Sequence, residues 1–323
     1  MTANPVVVVL GAAEDDPPPG IERAREHVDL RFAPDADALP AALPGASGLF
    51  FWRAERAWLE DAWAEAGALR WIQSVSDGVD GLLFPELVAG GVEVSNTRGV
   101  FDASIAEWVI GAMLAFTSRI LVQRDAQMAR EWAHATTERL GGSGLVVVGP
   151  GPIGRAVGVR AKALGMQVGA VGRSARPDEL FGPIAAVADL HEAIADADFV
   201  LDALPLTPDT RHLFDAVAFA AMPPTARFIN VGRGSTVDES ALVQALVDGV
   251  IAGAALDVFE GEPLPADSPF WAMPQVLVSP HMCGDFVGWE LAAVDVFVDN
   301  CARFARGEPL GNPVDKDAGF GVG

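Results

Sequence analysis

An arginine, a carboxylate and a histidine stand just past the ends of three apolar, strand-like runs late in this chain. The first run, Phe228–Val231, is followed by Arg233 between Gly232 and Gly234. Glycines beside a cation let the backbone carry it close to a ligand, and Arg suits a forked hydrogen bond to a carboxylate. The next run, Gly253–Val258, brings Asp257, Glu260 and Glu262, and the last, Val276–Ser279, leads to His281. Taken singly, each is ordinary: a surface Arg in a glycine-rich loop, a solvated acidic loop, a structural His. Together they are what the reduction of a 2-oxo acid requires. The Arg holds and polarises the substrate, an acid raises the imidazole pKa and fixes the ring, and the imidazolium donates the proton.

Such chemistry needs a hydride source, and the stretch Leu145–Gly158 is suited to hold one. Four apolar residues, Leu145–Val148, form a short strand, and a turn with Gly149, Gly151 and Gly154 opens a helix. Free N–H groups and the helix dipole suit a pyrophosphate there, and Pro152 fits the first helical position. A second strand, Gln167–Gly172, follows at βαβ distance. Folds that use NAD keep an acid about 20 residues after the glycine turn, on the ribose 2′-hydroxyl. Gly172 falls at that place, with Arg173, Ser174 and Arg176 behind it. The expectation is NADP in preference to NAD, carried mainly by Arg173 and Ser174, with Arg176 a lesser contributor.

A chain of 323 residues, half of them hydrophobic, suggests two domains. Its 44 acidic against 22 basic residues, a net charge of −22, argue against nucleic acid and against an anionic membrane. An anionic substrate therefore needs local cations. Cys283 and Cys301 have no metal-ligand spacing and read as small buried hydrophobes; no metal site is expected. The N-terminal residues lack a basic region, and Val6–Leu10 is too short for a membrane span, so a cytoplasmic protein is expected.

Strands are expected at Pro5–Leu10, Val28–Phe32, Gly48–Trp52, Arg70–Val75 and Val92–Asn96, with an amphipathic helix over Arg53–Ala66. Near Gly99 the pattern changes. Ser104 and Glu107 read as a capping box that opens a long helix with Ile105, Val109, Met113 and Phe116 on one face. Six strands then run from Leu145 to Ser279, among them Phe199–Ala203 and Arg227–Val231, as in a doubly wound sheet. A last helix carries Val287, Leu291, Val294, Val298 and Cys301 as its stripe and stops at Gly307. The expected architecture is α/β. A Rossmann-type doubly wound parallel sheet, residues 100–284, is inserted into a smaller flavodoxin-like α/β substrate domain, residues 1–99 and 285–323.

Over nearly its whole length the chain resembles the D-2-hydroxyacid dehydrogenases. The likeness rests on Trp71–Ser74 with Gly78–Asp80, Ile105–Glu107, the glycine turn, Leu204–Thr210, Asn230–Gly234, Leu256–Pro263 and Ser279–His281. The resemblance implies hydride transfer between a nicotinamide and C2 of a small 2-oxo or 2-hydroxy acid, with Arg233, Glu262 and His281 as the catalytic trio. It implies cofactor contacts at Gly149, Gly151, Pro152, Ile153, Gly154, Arg155, Leu204, Pro205, Thr210, Val231, Gly232, Asp257 and Gly284, besides Arg233 and His281 themselves. Asp257 would meet the carboxamide side of the nicotinamide. The loop Val75–Val79 would cradle the substrate carboxylate with its N–H groups, and such relatives are usually homodimers joined through the cofactor domain. Asp77 departs from the family, which usually has a small residue there, and an anion in a cradle repels a carboxylate unless it points away. Trp52, Arg53 and Trp289 are expected to crowd the substrate pocket. Two other readings of the same fold are a non-catalytic NAD(H)-sensing protein, which the complete trio disfavours, and a formate dehydrogenase, which has Gln where this chain has Glu262.

Overall fold

A computed structural model describes residues 4–321. The chain divides into two compact units, Met1–Val100 with Phe286–Gly323, and Phe101–Asp285.

The first unit is built on strands β1 (Val6–Leu10), β2 (Asp29–Ala33), β3 (Gly48–Phe51), β4 (Trp71–Ser74) and β5 (Glu93–Ser95). They lie in the order β2-β1-β3-β4-β5, every pair parallel, which is the flavodoxin-like order. A parallel sheet is covered on both faces, so its strands are apolar throughout. In β1, Val8 and Leu10 join one core while Val7 and Val9 join the other. The helix Trp289–Arg306 covers the second face. Its Phe297 ring stacks on Phe50 with centroids 4.2 Å apart, and Val294 and Cys301 are buried beside it. Val287 is not part of this stripe: it precedes the helix and is fully exposed, and Leu291 is also exposed. The burden the sequence placed on Val287 and Leu291 is carried by Phe297.

The second unit holds β6 (Gly144–Val148), β7 (Gln167–Gly172), β8 (Arg176–Asp178), β9 (Gly182–Ala186), β10 (Phe199–Asp202), β11 (Arg227–Asn230), β12 (Gly253–Leu256) and β13 (Val276–Val278). Their order is β13-β12-β11-β10-β6-β7-β9-β8, parallel except for β8 against β9. Chain order reverses between β6 and β10. That is the switch point at which doubly wound sheets bind ligands.

Two local expectations are corrected. The long helix runs Asp102–Thr117, so Ser104 lies inside it; its Oγ donates to the carbonyls of Phe101 and Gly284 at 2.9 Å each rather than capping. A further helix, Ile120–Ala129, follows a left-handed Arg119 (φ 55°) before the chain reaches β6. Among the described residues no single helix is long and apolar enough to cross a membrane.

Candidate active site

The glycine turn closes β6. Gly149 has φ 97°, and a Cβ there would stand 2.7 Å from the Ala203 carbonyl oxygen, so only glycine fits. Gly151 caps the helix Pro152–Ala163, with Pro152 as its first residue. No atom lies within 4 Å of where a Gly151 side chain would begin. The helix N-terminus thus meets open space, as a pyrophosphate requires. Ile153 packs into the core below.

Beyond β7 the arrangement differs from the sequence reading. The two strands β8 and β9 were not foreseen, and β8 starts at Arg176. Its guanidinium Nη1 lies 3.0 Å from the position a Cβ on Gly172 would take. Arg176, ranked behind Arg173 and Ser174 by sequence, is the cation that covers Gly172. All three side chains are exposed. Arg155 points elsewhere: its Nη1 donates to Asp178 Oδ2 at 2.6 Å and holds that carboxyl below its usual range. Thr210 secures its own turn, donating from Oγ1 to the Pro205 carbonyl at 2.7 Å.

The Arg–acid–His set comes together in this unit. Gly234 lets the arginine loop pass against the next one, since a Cβ there would overlap the Phe259 carbonyl carbon at 1.8 Å. Arg233 Nη1 donates to the Gly232 carbonyl at 2.7 Å. His281 Nδ1 donates to Glu262 Oε2 at 2.7 Å, and Glu262 Oε1 accepts from the Phe259 N–H at 3.0 Å. This settles which acid of the loop meets the imidazole. Glu260 instead stands beside His212, with its Oε1 2.7 Å from Nε2.

The Glu262 hydrogen bond raises the His281 pKa, against desolvation, which lowers it; the charge of Arg233 also lowers it. Burial pushes Glu262 up, but the His281 hydrogen bond, the Phe259 N–H and the charges of His281 and Arg233 outweigh it and hold the carboxyl below its usual range. Both shifts favour the ionic form of the pair, carboxylate with imidazolium.

His281 sits in the left-handed region, φ 52°, which costs a residue with a Cβ about 1–3 kcal/mol. Asp257 holds it there. The His281 N–H donates to the Asp257 carbonyl at 2.8 Å, and Asp257 Oδ1 accepts from Ser279 Oγ at 2.6 Å and from the Met282 N–H at 3.0 Å. The sequence reading gave Asp257 only a cofactor role and missed this one.

The first unit offers a separate pocket of about 260 Å³ at the carboxyl ends of β3 and β4, lined by Trp52, Arg53, Ser74, Val75, Ser76 and Gly78 among others. Trp52 stacks on Trp289 with centroids 5.9 Å apart, the Arg53 guanidinium lies 5.7 Å from the Trp52 ring, and Arg53 pairs with Glu290. The N–H cradle is smaller than expected. The Val75 N–H extends the ladder to the Phe51 carbonyl at 3.1 Å, and the Ser76 N–H donates to Ser74 Oγ at 3.1 Å. Asp77 is held from the side: Asn96 Nδ2 donates to its carbonyl at 2.6 Å and to its Oδ1 at 3.1 Å. A roomier hollow of about 360 Å³ lies at the amino ends of β4 and β5, beside Trp63 and Arg70, away from every candidate residue. Among the described residues, no group of three or more His, Cys, Asp or Glu side chains could hold a metal ion.

Residues 110–283 match the family model of the D-isomer specific 2-hydroxyacid dehydrogenase NAD binding domain. The chain belongs to this family. It is 39% identical over 222 residues to glyoxylate/hydroxypyruvate reductase B of Escherichia fergusonii, covering 66% of this chain and 68% of that one. A D-isomer specific 2-hydroxyacid dehydrogenase family protein from Aeromonas salmonicida has a solved structure with a TM-score of 0.84 at 32% identity, covering 98% of this chain and 100% of that one. An NADPH-dependent glyoxylate/hydroxypyruvate reductase from Sinorhizobium meliloti, solved with NADP and sulfate, gives 0.82 at 28% identity over 98% of this chain and 100% of its own. The chain is accordingly an NAD(P)-dependent oxidoreductase acting on 2-hydroxy acids, with a Rossmann-type cofactor fold.

Proposed function

We propose that this dehydrogenase works as an NADPH-dependent reductase of a small 2-oxo acid of the glyoxylate or hydroxypyruvate type, with His281 as its acid. The reading is carried by the His281–Glu262 hydrogen bond, 2.7 Å long, whose ring also feels the charge of Arg233. Bound NADPH supplies the hydride to C2. Gly151 and Pro152 at the helix N-terminus would take its pyrophosphate, and Leu204 with Val231 and Gly232 would line the nicotinamide end. Arg233 orients the carboxylate and draws electron density toward the carbonyl oxygen. With Nδ1 bound to Glu262, His281 presents Nε2 to that oxygen and donates its proton there. Glu262 keeps the imidazole protonated until then. A panel of 2-oxo acids, followed by NADPH oxidation, tests this: turnover of none of them above background would refute the reductase assignment.

The coenzyme preference rests on Gly172 and Arg176. A carboxylate at residue 172 would repel a 2′-phosphate, whereas a guanidinium donates to one. A charge-assisted contact contributes about 1.5–3 kcal/mol, so Arg176→Ala and Arg173→Ala are each expected to weaken NADPH by roughly ten- to a hundredfold and to leave NADH nearly unchanged. Equal kcat/KM for both coenzymes in the parent enzyme would overturn the preference.

The same enzyme is proposed to act in the cytoplasm as a homodimer joined through the cofactor unit. Ile120, Val122 and Met128 are exposed, and Trp132 is 100% exposed on a segment, residues 131–139, without regular structure. The far end of that segment is pinned, for Arg227 forks onto both Glu138 oxygens at 2.7 Å. A large apolar surface held out this way calls for a covering surface, and a second copy provides one. Trp132→Asp is expected to turn a dimer into a monomer in light scattering, and a monomeric parent would refute the assembly.

A further inference from the structure

Asp202 ends the apolar strand β10 and is completely buried. Its Oδ1 accepts the Leu204 N–H at 3.0 Å. Its Oδ2 shares a hydrogen bond with Thr236 Oγ1, and Thr236 Oγ1 shares another with the Arg233 carbonyl oxygen at 2.6 Å. Three oxygens thus stand in a row, joined by two hydrogen bonds, and two protons are needed between them. A carbonyl has none to give and a hydroxyl has one. Were Asp202 ionised, Thr236 would spend its proton on the carboxylate, and two oxygens 2.6 Å apart, Thr236 Oγ1 and the Arg233 carbonyl, would face each other with no proton between them. The second proton therefore belongs to Asp202.

We propose that Asp202 is a positioning residue for Arg233. As a neutral acid it donates from Oδ2 to Thr236, and Thr236 donates in turn to the Arg233 carbonyl. The chain fixes the loop from which the substrate's cation projects. The same carboxyl holds the Leu204 N–H, so the loop after β10 and the loop after β11 are tied at one point. A Cβ on Gly232 would lie 2.6 Å from the Leu204 carbonyl oxygen, which shows how closely the two loops pass. Asn230 adds a second support, with Nδ2 donating to the Arg233 carbonyl at 3.1 Å and Oδ1 accepting the Gly232 N–H at 2.9 Å.

The surroundings favour the neutral acid. Asp202 is in register with Val148 of β6 and Asn230 of β11, and Leu204, Gly232 and Thr236 meet it from the loops; none of these ionises. The charged side chain on the same loop is Arg233, which turns Nη1 to the Gly232 carbonyl. Burial pushes the Asp202 carboxyl up to about 7, against the bonds from Thr236 and Leu204, which lower it. As pH rises through that value, Thr236 is drawn to the carboxylate and the Arg233 carbonyl loses its hydroxyl donor, keeping the Thr236 N–H at 3.2 Å and Asn230 Nδ2 at 3.1 Å.

This role rests on Arg233 being the substrate's cation, and the test separates the two claims. Asp202→Asn keeps the geometry of the neutral acid, with Nδ2 donating to Thr236 and Oδ1 accepting from Leu204. It is expected to hold kcat/KM within about threefold near pH 6. As pH rises through the His281 and Asp202 ionisations the parent should lose kcat/KM with the steepness of two groups, and the Asn variant with that of one. Thr236→Val, which breaks the chain without touching the acid, is expected to raise KM for the 2-oxo acid at least tenfold with a smaller loss in kcat. The infrared difference between parent and Asp202→Asn at pH 6 should show the carbonyl stretch of a protonated carboxyl. No such band, an Asn variant that fails to fold or keeps the steep alkaline loss, or a Thr236→Val enzyme with parental KM would each overturn the proton chain. An infrared band with full activity in Arg233→Lys would leave the chain standing and refute instead the role given to Arg233.

Discussion

Replacing His281 by alanine is expected to cut kcat for 2-oxo acid reduction by about 10²–10⁴-fold while the affinity for NADPH changes little. The loss follows from the position of the ring. Nδ1 is committed to Glu262, and in the proposed mechanism the other nitrogen is the acid that meets the carbonyl oxygen. Reduction uses the imidazolium. The hydrogen bond to Glu262 raises the His281 pKa, so the reductive rate is level below that pKa and falls as pH rises through it. Oxidation of the hydroxy acid uses the neutral ring and runs the opposite way. Glu262→Gln removes the negative charge that favours the imidazolium, so the alkaline limb of reduction is expected to move to lower pH. The ion pair also steadies the fold. The raised His281 pKa gives stability present below the unfolded value of about 6.5 and lost as pH rises through the folded one; the lowered Glu262 pKa gives stability lost as pH falls through it. Initial rates in both directions across pH, with coenzyme binding measured by fluorescence, check this. A His281→Ala enzyme with near-parental turnover removes His281 from the mechanism.

The strands were legible because a buried parallel strand is a short, continuous apolar run closed by turn residues, and that signal is local. Gln167–Gly172 is found with its expected ends, and the others within a residue or two. The glycine turn and the Arg233 loop were legible for a related reason: Gly149, Gly154, Gly232 and Gly234 mark backbone that passes too close to a neighbour for any side chain, and Gly151 marks open space. Features set by distant partners were not. Ser104 satisfied a capping pattern, yet the Gly284 carbonyl lies 180 residues away and draws its hydroxyl inward. Arg176 ranked below Arg173 and Ser174 because the turn back through β8 and β9, with Pro177 and Pro183 where a strand signal is sought, was not foreseen. The sequence reading gave no role to Asp202, which lies inside the run read as Phe199–Ala203 and ends the strand. Only the register of β10 between β6 and β11, with Thr236 above it, gives it a purpose. Asp77 raised an objection to the cradle on sequence; in the structure its Oδ1 accepts from Asn96 Nδ2 at 3.1 Å.

Arg233→Ala is expected to cost about 10²–10³-fold in kcat/KM, the magnitude seen when a preorganised donor to a developing oxyanion is removed. Two things are lost together. The substrate carboxylate loses its forked partner, which raises KM, and the carbonyl oxygen loses the positive charge that favours hydride arrival, which lowers kcat. Arg233→Lys separates them. A lysine restores the charge, but it is a point donor on a flexible stem and cannot reproduce a planar fork. It is therefore expected to recover part of kcat and little of KM. The acidity of the chain sharpens the effect: with a net charge of −22, long-range attraction does not favour an anionic substrate, and a local cation counts for more. Arg233 also lowers the His281 pKa through its charge, so the alanine variant should show the alkaline limb of reduction displaced to higher pH, and the lysine variant should show it near the parental position. Steady-state kinetics of both variants with one 2-oxo acid across pH give all of these quantities at once. A lysine variant with parental kcat/KM would rule out the forked contact, and an alanine variant with an unmoved limb would rule out the electrostatic coupling to His281.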